Sequence, residues 1–253
     1  GKTEERGRGR GIFACGYIAP VRDDTIDFIN IQSMGNAQDF GDLIESKSQS
    51  APAASSTRGT FSGGIIGSSN VIEFITIATT ANALDFGDAA NVVNGKTGAA
   101  SPTRGIFAGG YAPDRTQIEF ITIASAGNST DFGNLVEAHG MPAGGSNATR
   151  AIFAGGESPL GHRASIDTLL IATTGNATDF GDLQRTITEA NGGASNGVRI
   201  CFAGGNSPGQ SPQNVIDVVN IVTTGAGADF GDLTSARRCQ NAGGSDAHGG
   251  LSR

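Results

Sequence analysis

The sequence predicts an all-β fold, a five-bladed β-propeller, and three observations carry that prediction. A Phe inside an Asp-Phe-Gly unit recurs at positions 40, 86, 132, 180 and 230, in steps of 46, 46, 48 and 50 residues. A second Phe recurs in phase with it, at positions 13, 61, 107, 153 and 202. No segment shows a sustained helical period with caps. Repeats of this length that hold four short strands are typical of propeller blades.

The composition agrees with turn-rich β structure. Only 37% of the residues are apolar, 40 are Gly, two are Tyr and none is Trp. Many small residues with little aromatic bulk favour tightly packed strands over large helices. Ile and Phe recur at regular places, so the repeats still carry enough apolar side chains for a core.

Each repeat divides into four predicted strands, which we call a to d. In the fourth repeat, strand a covers residues 143–149, strand b 150–156 and strand c 165–172, and strand d begins at 179–183. Ile166, Leu169 and Ile171 place apolar groups on both faces of strand c, as in a strand that is buried on both sides. Residues 173–177, rich in Gly and Asn, form the turn between strands c and d.

The two ends of the chain predict how the ring closes. The N-terminal part enters at strand b, with Arg10 to Phe13, and has no strand a before it. Residues 240–248 match strand a, so we expect them to pair beside residues 10–16 and to remove the open sheet edges. Cys15 and Cys239 would then lie near each other, either as a disulfide or as two small buried thiols.

The domain organisation follows from this closure. We expect residues 1–9 to be a flexible N-terminal segment and residues 10–253 to form a single propeller. The repeats cover about 10–56, 57–102, 103–148, 149–195 and 196–253. Because the chain begins with Gly, we expect a processed product or a piece of a longer protein.

Charge and cysteine usage exclude several classes of function. The formal net charge is −7, whereas a nucleic-acid-binding protein needs a basic footprint, so we expect no nucleic-acid partner. No apolar run is long enough for a membrane span, so we expect no membrane insertion. Three scattered cysteines form neither a disulfide framework nor a zinc pattern.

The Asp-Phe-Gly unit is shared with the metal-binding motif of protein kinases, but here it occurs in every repeat without a nucleotide loop. We expect a structural turn in which Asp accepts backbone hydrogen bonds, Gly supplies an unusual dihedral and Phe packs between blades. The packing residues are Phe40, Phe86, Phe132, Phe180 and Phe230. Two carboxylates in each such loop, with Asn134 in place of one in the third repeat, fall short of a calcium site, so we expect no metal and no cofactor.

Two further series of charged residues align across the repeats. The arginines lie three positions before the Phe of strand b, and are Arg10, Arg58, Arg104, Arg150 and Arg199. The acids follow the first Ile of strand c, and are Asp27, Glu73, Glu119, Asp167 and Asp217. We favour an Arg–carboxylate pair that locks each b–c hairpin, or separate solvated charges, over a ring of Arg that binds an anion at the axis.

The remaining motifs have structural interpretations. The double glycines, 63–64, 109–110, 155–156 and 204–205, are followed by no helix that could cradle a phosphate, and we expect close backbone packing. His139, His162 and His248 occupy unrelated repeat positions and have no repeated Ser or Cys partner, so we expect them in loops or on the surface. We therefore predict that the protein is not an enzyme and has no catalytic residues.

The b–c loops are the least repetitive parts of the chain and are the candidate binding surface. They cover residues 17–25, 65–71, 111–117, 157–165 and 206–215 and emerge on one face of the predicted disc. Variable loops on a rigid scaffold are the usual place for binding, although plain sequence drift would look the same. The side chains that we expect to engage a partner are Tyr17, Arg22, Tyr111, Arg115, His162 and Arg163.

The sequence motifs of the repeats resemble those of known families. The double Gly after strand b, the aromatic residue in strand d and the a–b hairpin resemble kelch repeats, with Phe in place of the kelch Trp. The stretches 55–61, 72–80 and 174–183 are similar to kelch-like repeats of virion structural proteins from marine tailed phages. That resemblance implies a tail, fibre or capsid-surface component of an extracellular particle. Its implied partners are other virion proteins or a host surface receptor, with a glycan as a further candidate.

Two other functions stay open at this stage. A lectin-like or protein-binding propeller module would use the same loops, and sugar sites commonly use aromatic platforms, of which this chain has few. A propeller enzyme would need one blade with an odd cluster of acids, His or metal ligands, and no repeat stands out in that way.

Overall fold

The computed structural model describes residues 9–18, 20–31, 33–65, 69–111, 113–189, 193–209 and 211–237. These residues form antiparallel strands joined by turns, in five blades that follow one another around a ring. The prediction of an all-β, five-bladed propeller is therefore confirmed. Within the described ranges, no helix is long and apolar enough to cross a membrane.

Blades 1 to 3 contain the first eleven strands. Blade 1 consists of β1 (Arg10–Ile18), β2 (Val21–Asn30) and β3 (Gln38–Lys47). Blade 2 consists of β4 (Ala51–Ala54), β5 (Arg58–Ser62), β6 (Val71–Thr76) and β7 (Leu84–Asp88). Blade 3 consists of β8 (Thr97–Ala100), β9 (Arg104–Ala108), β10 (Gln117–Thr122) and β11 (Thr130–Asn134).

Blades 4 and 5 add a short extra strand to the four-stranded pattern. Blade 4 consists of β12 (Ala143–Ser146), β13 (Arg150–Ala154), β14 (Glu157–Ser158), β15 (Gly161–Leu170) and β16 (Thr178–Ile187). Blade 5 consists of β17 (Ala194–Ser195), β18 (Arg199–Ala203), β19 (Asn206–Ser207), β20 (Ser211–Asn220) and β21 (Ala228–Arg237). The extra strands β14 and β19 pair with the start of strand c. The b–c connection is therefore a hairpin in these two blades, and also in blade 1, where Tyr17 is opposite Arg22. The sequence predicted a loop in all three.

The strands within each blade pair in the order a-b-c-d, as the sequence predicts. Blade 1 contributes β1, β2 and β3 as its strands b, c and d. The segment 240–248, predicted to supply its strand a, lies outside the described residues, and so does Cys239. The predicted ring closure by that segment and the Cys15–Cys239 pair therefore remain predictions.

Strand d carries a bulge at the Asp-Phe-Gly unit. In blade 1, Ile26 is opposite Gly41 and Asp27 is opposite Asp39, which leaves Phe40 as the extra residue. The carboxylate of Asp39 accepts a hydrogen bond from the amide of Gly41 at 3.0 Å. Three further blades repeat this bond, at Asp85, Asp179 and Asp229. The predicted hydrogen bond to the Asp carboxylate is therefore confirmed in these four blades, but it lies at a bulge within strand d, where the sequence predicted a turn. Phe230 of blade 5 is 58% exposed, so its predicted packing between blades is not found among the described residues.

The glycine of this unit is needed for close approach between blades. Gly87 has φ +139°, and a Cβ at this position would lie 2.5 Å from the carbonyl carbon of Gly127 in the next blade. A side chain there would clash with backbone and would also adopt a conformation that L-residues rarely reach.

The apolar core lies between blades, in clusters that join each blade to the next. Phe40 of blade 1 packs with Phe61, Ile75 and Ala83 of blade 2. Phe86, Phe132 and Phe180 make the corresponding contacts at the following three interfaces. We call each such interface, in which strand d of one blade packs on the next blade, a junction. The blades therefore bury apolar side chains against one another at these junctions.

Small residues let strands a of adjacent blades approach each other. A Cβ on Gly98 would lie 1.7 Å from the carbonyl oxygen of Pro52, and one on Gly145 would lie 3.3 Å from the backbone of Gly193. The Gly/Ala/Ser composition of strand a is thus required by packing between neighbouring blades.

Candidate functional site

Four of the five aligned arginines donate hydrogen bonds to the next blade and form no ion pair with the strand c acid of their own blade. The predicted Arg–carboxylate pair is therefore wrong for these four. Their Nη1 atoms donate to a carbonyl just after strand c of the next blade. The bonds are Arg10 to Ile77 at 2.7 Å, Arg58 to Ile123 at 3.0 Å, Arg104 to Ile171 at 3.0 Å and Arg150 to Ile221 at 3.2 Å. Arg10, Arg58 and Arg104 also lie 4.6 to 4.7 Å over the strand c Phe of their own blade.

The alternation of side chains along a strand explains this difference. Arg58 lies three residues before Phe61, so the two side chains point to opposite faces of the sheet. Glu73 is directly opposite Phe61 and shares its face. The arginine therefore points towards the following blade, and the acid points towards the preceding one.

The strand c acids pair with a cation from the preceding blade or from the connection that leads out of it. The pairs are Glu73 with Lys47 at 2.5 Å, Glu119 with Lys96 at 2.6 Å, Asp167 with His139 at 3.7 Å and Asp217 with Arg185 at 3.2 Å. Each acid is almost fully buried. Glu73, Glu119 and Asp167 also accept a hydrogen bond from a backbone amide of strand d or its continuation.

Burial shifts the pKa of charged groups at two of these junctions. The pKa of Asp167 is raised because desolvation outweighs the attraction of His139 and the hydrogen bond from Val136. The pKa of Asp217 is raised by desolvation, which outweighs its contacts with Arg185. The pKa of Arg185 is lowered, also because burial disfavours the charged form.

His139 lies in a connection between strands, as predicted, but it is buried and not at the surface. Its side chain is fully buried, Nδ1 contacts the carbonyl oxygen of Gly155, and Nε2 faces Asp167. It lies on the connection between strand d of blade 3 and strand a of blade 4. His162 is half-buried in β15, and His248 lies outside the described residues.

The double glycines pack against the end of strand d or against the connection that follows it. A Cβ on Gly109 would lie 2.4 Å from the carbonyl oxygen of His139, and one on Gly155 would lie 2.6 Å from that of Ile187. The expectation of close backbone packing is therefore confirmed. In blade 1 the corresponding residue is Cys15, which adopts φ 60°.

We call the surface formed by the b–c connections the b–c face. In blade 1 it contains the predicted binding residues Tyr17 and Arg22. They lie opposite each other in the β1–β2 hairpin, and the guanidinium of Arg22 is 5.8 Å from the ring centroid of Tyr17. Tyr17 is exposed and Arg22 is half-buried. The pair offers an aromatic surface with a positive charge beside it.

Tyr111 and Arg115 are held closer to the scaffold of blade 3. Tyr111 forms a backbone bridge with Asn94 of the preceding connection, and its amide donates to the Asn94 carbonyl at 2.7 Å. The carbonyl of Arg115 accepts a bond from the amide of His139 at 3.2 Å. Both residues are half-buried, so the structure brings them to the b–c face through backbone contacts with the connections between blades.

His162 and Arg163 lie at the start of β15 in blade 4. His162 is opposite Glu157, and Arg163 forms an ion pair with Glu137 at 3.2 Å. The hydroxyl of Ser165 donates to the other carboxylate oxygen of Glu137 at 2.5 Å. Arg163 therefore contributes to holding its loop as well as to the surface of the face.

An acidic group on the same face was missed by the sequence analysis. The pKa of Glu157 is raised, chiefly by burial and then by the charge of Asp114, while His162 opposes the change and Glu189 adds to it. Burial also raises the pKa of Asp114. Three carboxylates from blades 3 and 4 and the following connection are thus neighbours.

The repeat register could have identified one member of this group. Glu157 lies four residues after the Phe of strand b, the position that Tyr17 and Tyr111 occupy in their blades. In the described ranges, no group of three or more His, Cys, Asp or Glu side chains is arranged to hold a metal ion.

The fold and the b–c face define this protein as a β-propeller whose repeated charged residues serve the junctions and whose non-repeated residues line one face. No family model matches the chain, and no curated protein matches it.

Proposed function

We propose that this protein is a non-enzymatic interaction module, a kelch-like virion component of a tailed phage in the tail, fibre or capsid surface. In this role the propeller is a rigid support, and the b–c face contacts a neighbouring virion protein or a host surface receptor. The observation that carries the proposal is the division between repeated residues at the junctions and varied residues on one face.

The varied face supplies the groups that a protein partner needs. Tyr17 beside Arg22 is an exposed aromatic–cation pair, a combination enriched in protein interfaces. Leu160 lies almost fully exposed at the tip of the β14–β15 hairpin. The acidic group of Asp114, Glu157 and Glu189 gives the other side of the face a negative charge, which favours a partner with basic residues there.

Particle association tests the assignment to a virion. Phage particles purified on a density gradient from the source culture are analysed by mass spectrometry and labelled with an antibody raised against this chain. We expect the chain to co-purify with intact particles and the label to lie at one defined place on them. A chain found only among the soluble proteins of the lysate would refute the proposal.

Variants of the two ends of the blades test which face binds. Tyr17→Ala with Arg22→Ala alters the b–c face, and Thr80→Ala alters an exposed c–d turn at the opposite end of blade 2. Biosensor binding to the particle proteins that co-purify with the chain is expected to weaken at least tenfold for the first variant only. Equal binding by both variants would exclude the Tyr17 part of the face.

The alternative function is a lectin-like or protein-binding propeller that acts outside a particle. The exposed ring of Tyr17 favours it, because sugars commonly stack on aromatic side chains. A glycan array probed with the wild type and with Tyr17→Ala distinguishes the two. Glycan binding by the wild type that is lost in Tyr17→Ala would support the lectin-like function. An array on which the wild type binds no glycan would exclude that function.

A further inference from the structure

Two carboxylates on the b–c face lack the paired cation that the strand c acids of blades 2 to 5 have. Asp114, in the connection between β9 and β10, and Glu157 of β14 are half-buried, and among the described residues neither forms an ion pair. Burial and then the charge of Asp114 raise the pKa of Glu157, so the two carboxylates are close neighbours. Two desolvated charges thus lie side by side without a paired cation.

An aromatic ring lies beside these carboxylates and packs over two glycines. A Cβ on Gly140 would clash with Oδ1 of Asp114 and would lie 3.1 Å from Cδ2 of Tyr111, so the carboxylate and the ring share this glycine. A Cβ on Gly95 would lie 3.1 Å from Cβ of Tyr111. The backbones of Gly140 and Glu157 exchange two hydrogen bonds of 2.7 Å. Tyr111, Asp114 and Glu157 are therefore held together at the boundary of blades 3 and 4.

A buried hydroxyl without a partner is directed at the same place. Thr188 is 1% exposed, and its Oγ1 forms no hydrogen bond within the described part of the chain. Thr188 occupies the position of Gly140 one blade further on, since each forms a backbone bridge with the residue four positions after the strand b Phe of the next blade. A Cβ on Gly140 is directed at Tyr111, and the counterpart of Tyr111 in blade 4 is Glu157. The side chain of Thr188 is therefore directed at Glu157, where its hydroxyl adds an unused hydrogen-bonding group.

We propose that Tyr111, Asp114 and Glu157 bind an arginine side chain of a partner protein. The planar guanidinium has enough N–H donors for both carboxylates and for the hydroxyl of Thr188, and its flat face packs well on an aromatic ring. A lysine ammonium has fewer donors and no flat face, so it fits these groups less well. We call Tyr111, Asp114, Glu157 and Thr188 the arginine site.

Charge complementarity selects this partner group. The arginine site presents two carboxylates that the protein leaves unpaired, in a chain whose formal net charge is −7. A guanidinium that enters the site pairs with both of them, whereas an acidic or apolar segment would leave them desolvated without a cation. The inference deepens the proposed function, because it rests on contact between the b–c face and a partner protein, but it does not depend on where in a particle that contact lies.

The first test needs no ligand. Asp114→Asn with Glu157→Gln keeps the shapes of both side chains and removes both charges. Since the protein alone does not pair these charges, we expect this double variant to unfold at higher urea than the wild type at pH 7. Asp88→Asn with Asp182→Asn removes two exposed carboxylates and is the matched control. A gain no larger than that of the control, or a loss, would mean that the chain itself satisfies Asp114 and Glu157, and would refute the arginine site.

The second test measures binding by two-dimensional NMR of the isotope-labelled chain, with the tripeptide acetyl-Gly-Arg-Gly-amide as the probe. We expect saturable chemical-shift changes at the amides of Asp114, Gly140 and Glu157. The matching lysine peptide should bind about tenfold more weakly, and the citrulline peptide, which has the shape of arginine without its charge, should not bind. The double variant at Asp114 and Glu157 should lose the binding, and Tyr111→Leu should weaken it.

The outcomes separate this inference from the proposed function. A wild type that does not bind the arginine peptide, or that binds the citrulline peptide equally well, would refute the arginine site even if the chain is found on particles. Equal binding of the arginine peptide by the double variant would also refute the site. A chain that binds the arginine peptide as expected but is absent from particles would refute the virion assignment and support the site.

Discussion

His139 and Asp167 face each other across the junction of blades 3 and 4, with Nε2 of the histidine 3.7 Å from Oδ2 of the aspartate. At the other charged junctions a lysine or an arginine lies against the carboxylate, at 2.5 to 3.2 Å. Desolvation raises the pKa of Asp167, and the attraction of His139 offsets only part of this effect.

The raised pKa of Asp167 predicts a pH-dependent cost in stability. Between its ordinary value of 3.8 and the raised value, the folded state binds more protons at Asp167 than the unfolded state does. Its contribution to the free energy of unfolding therefore falls as pH rises through this window, by about 1.4 kcal/mol for each unit of pKa difference.

Urea unfolding of Asp167→Asn at pH 4 and pH 7 checks this dependence. Asn resembles the protonated acid, so we expect the variant to gain stability relative to the wild type on going from pH 4 to pH 7. Asp182→Asn, which removes an exposed carboxylate, serves as the control. A difference between Asp167→Asn and the wild type that is constant with pH would contradict the prediction.

The buried pair of Lys47 and Glu73 predicts a strong dependence of each charge on the other. Lys47→Met leaves the carboxylate of Glu73 buried without its cation, and we expect a loss of about 3–5 kcal/mol in the free energy of unfolding. Adding Glu73→Gln is expected to recover most of this loss. The half-exposed Arg163–Glu137 pair is the control, and Arg163→Met should cost less than about 1 kcal/mol. The free energies of unfolding are measured in urea. Equal losses in Lys47→Met and Arg163→Met would refute the prediction.

The repeat register made the fold predictable from sequence. The spacing of Phe40 and its counterparts indicated the number of blades. The Asp-Phe-Gly motif indicated the hydrogen bond that Asp39 accepts from the amide of Gly41, although it lies at a bulge and not in a turn. Both features depend on local chain geometry that every blade repeats, so five copies of the sequence reinforce one interpretation.

Contacts between blades were harder to predict from the sequence, because the partner of a repeated residue lies in another repeat. Glu73 was matched to Arg58 by its position in the same hairpin, but its partner Lys47 belongs to blade 1. The cation of each pair also shifts in position from one junction to the next, as Lys96, His139 and Arg185 show. Face alternation along strand b would have indicated the direction of each side chain, although not its partner.

Cys15 predicts a stabilising substitution. It has φ 60° at a position where four other blades have Gly with φ 63° to 71°. A non-Gly residue in this region costs about 1–2 kcal/mol, so Cys15→Gly relieves strain. Since the thiol also contacts the hydroxyl of Ser50 at 3.4 Å, the proper comparison is with Cys15→Ala, which loses the thiol and keeps the Cβ. We expect Cys15→Gly to unfold at higher urea, with an advantage of about 1 kcal/mol over Cys15→Ala. An Ala variant at least as stable as the Gly variant would contradict this.

Arg58 provides the test of how the junctions are held. Its guanidinium lies 4.6 Å from the ring centroid of Phe74 and donates to the carbonyl of Ile123 in the next blade at 3.0 Å. Arg58→Ala removes both contacts and leaves the carbonyl without this donor, so we expect a loss of about 1–3 kcal/mol in urea unfolding.

Two further variants separate the junction contact from the loss of a charge. Arg58→Lys keeps the charge but lacks the planar guanidinium, and it should fall between the wild type and Arg58→Ala. Arg22→Ala removes an arginine that lies over the exposed ring of Tyr17, and it should cost no more than about 1 kcal/mol. Because Arg58 joins blades 2 and 3, hydrogen exchange should speed up for the amide of Ile123 in Arg58→Ala. Unchanged exchange there would mean that Arg58 contributes to its own blade and not to this junction.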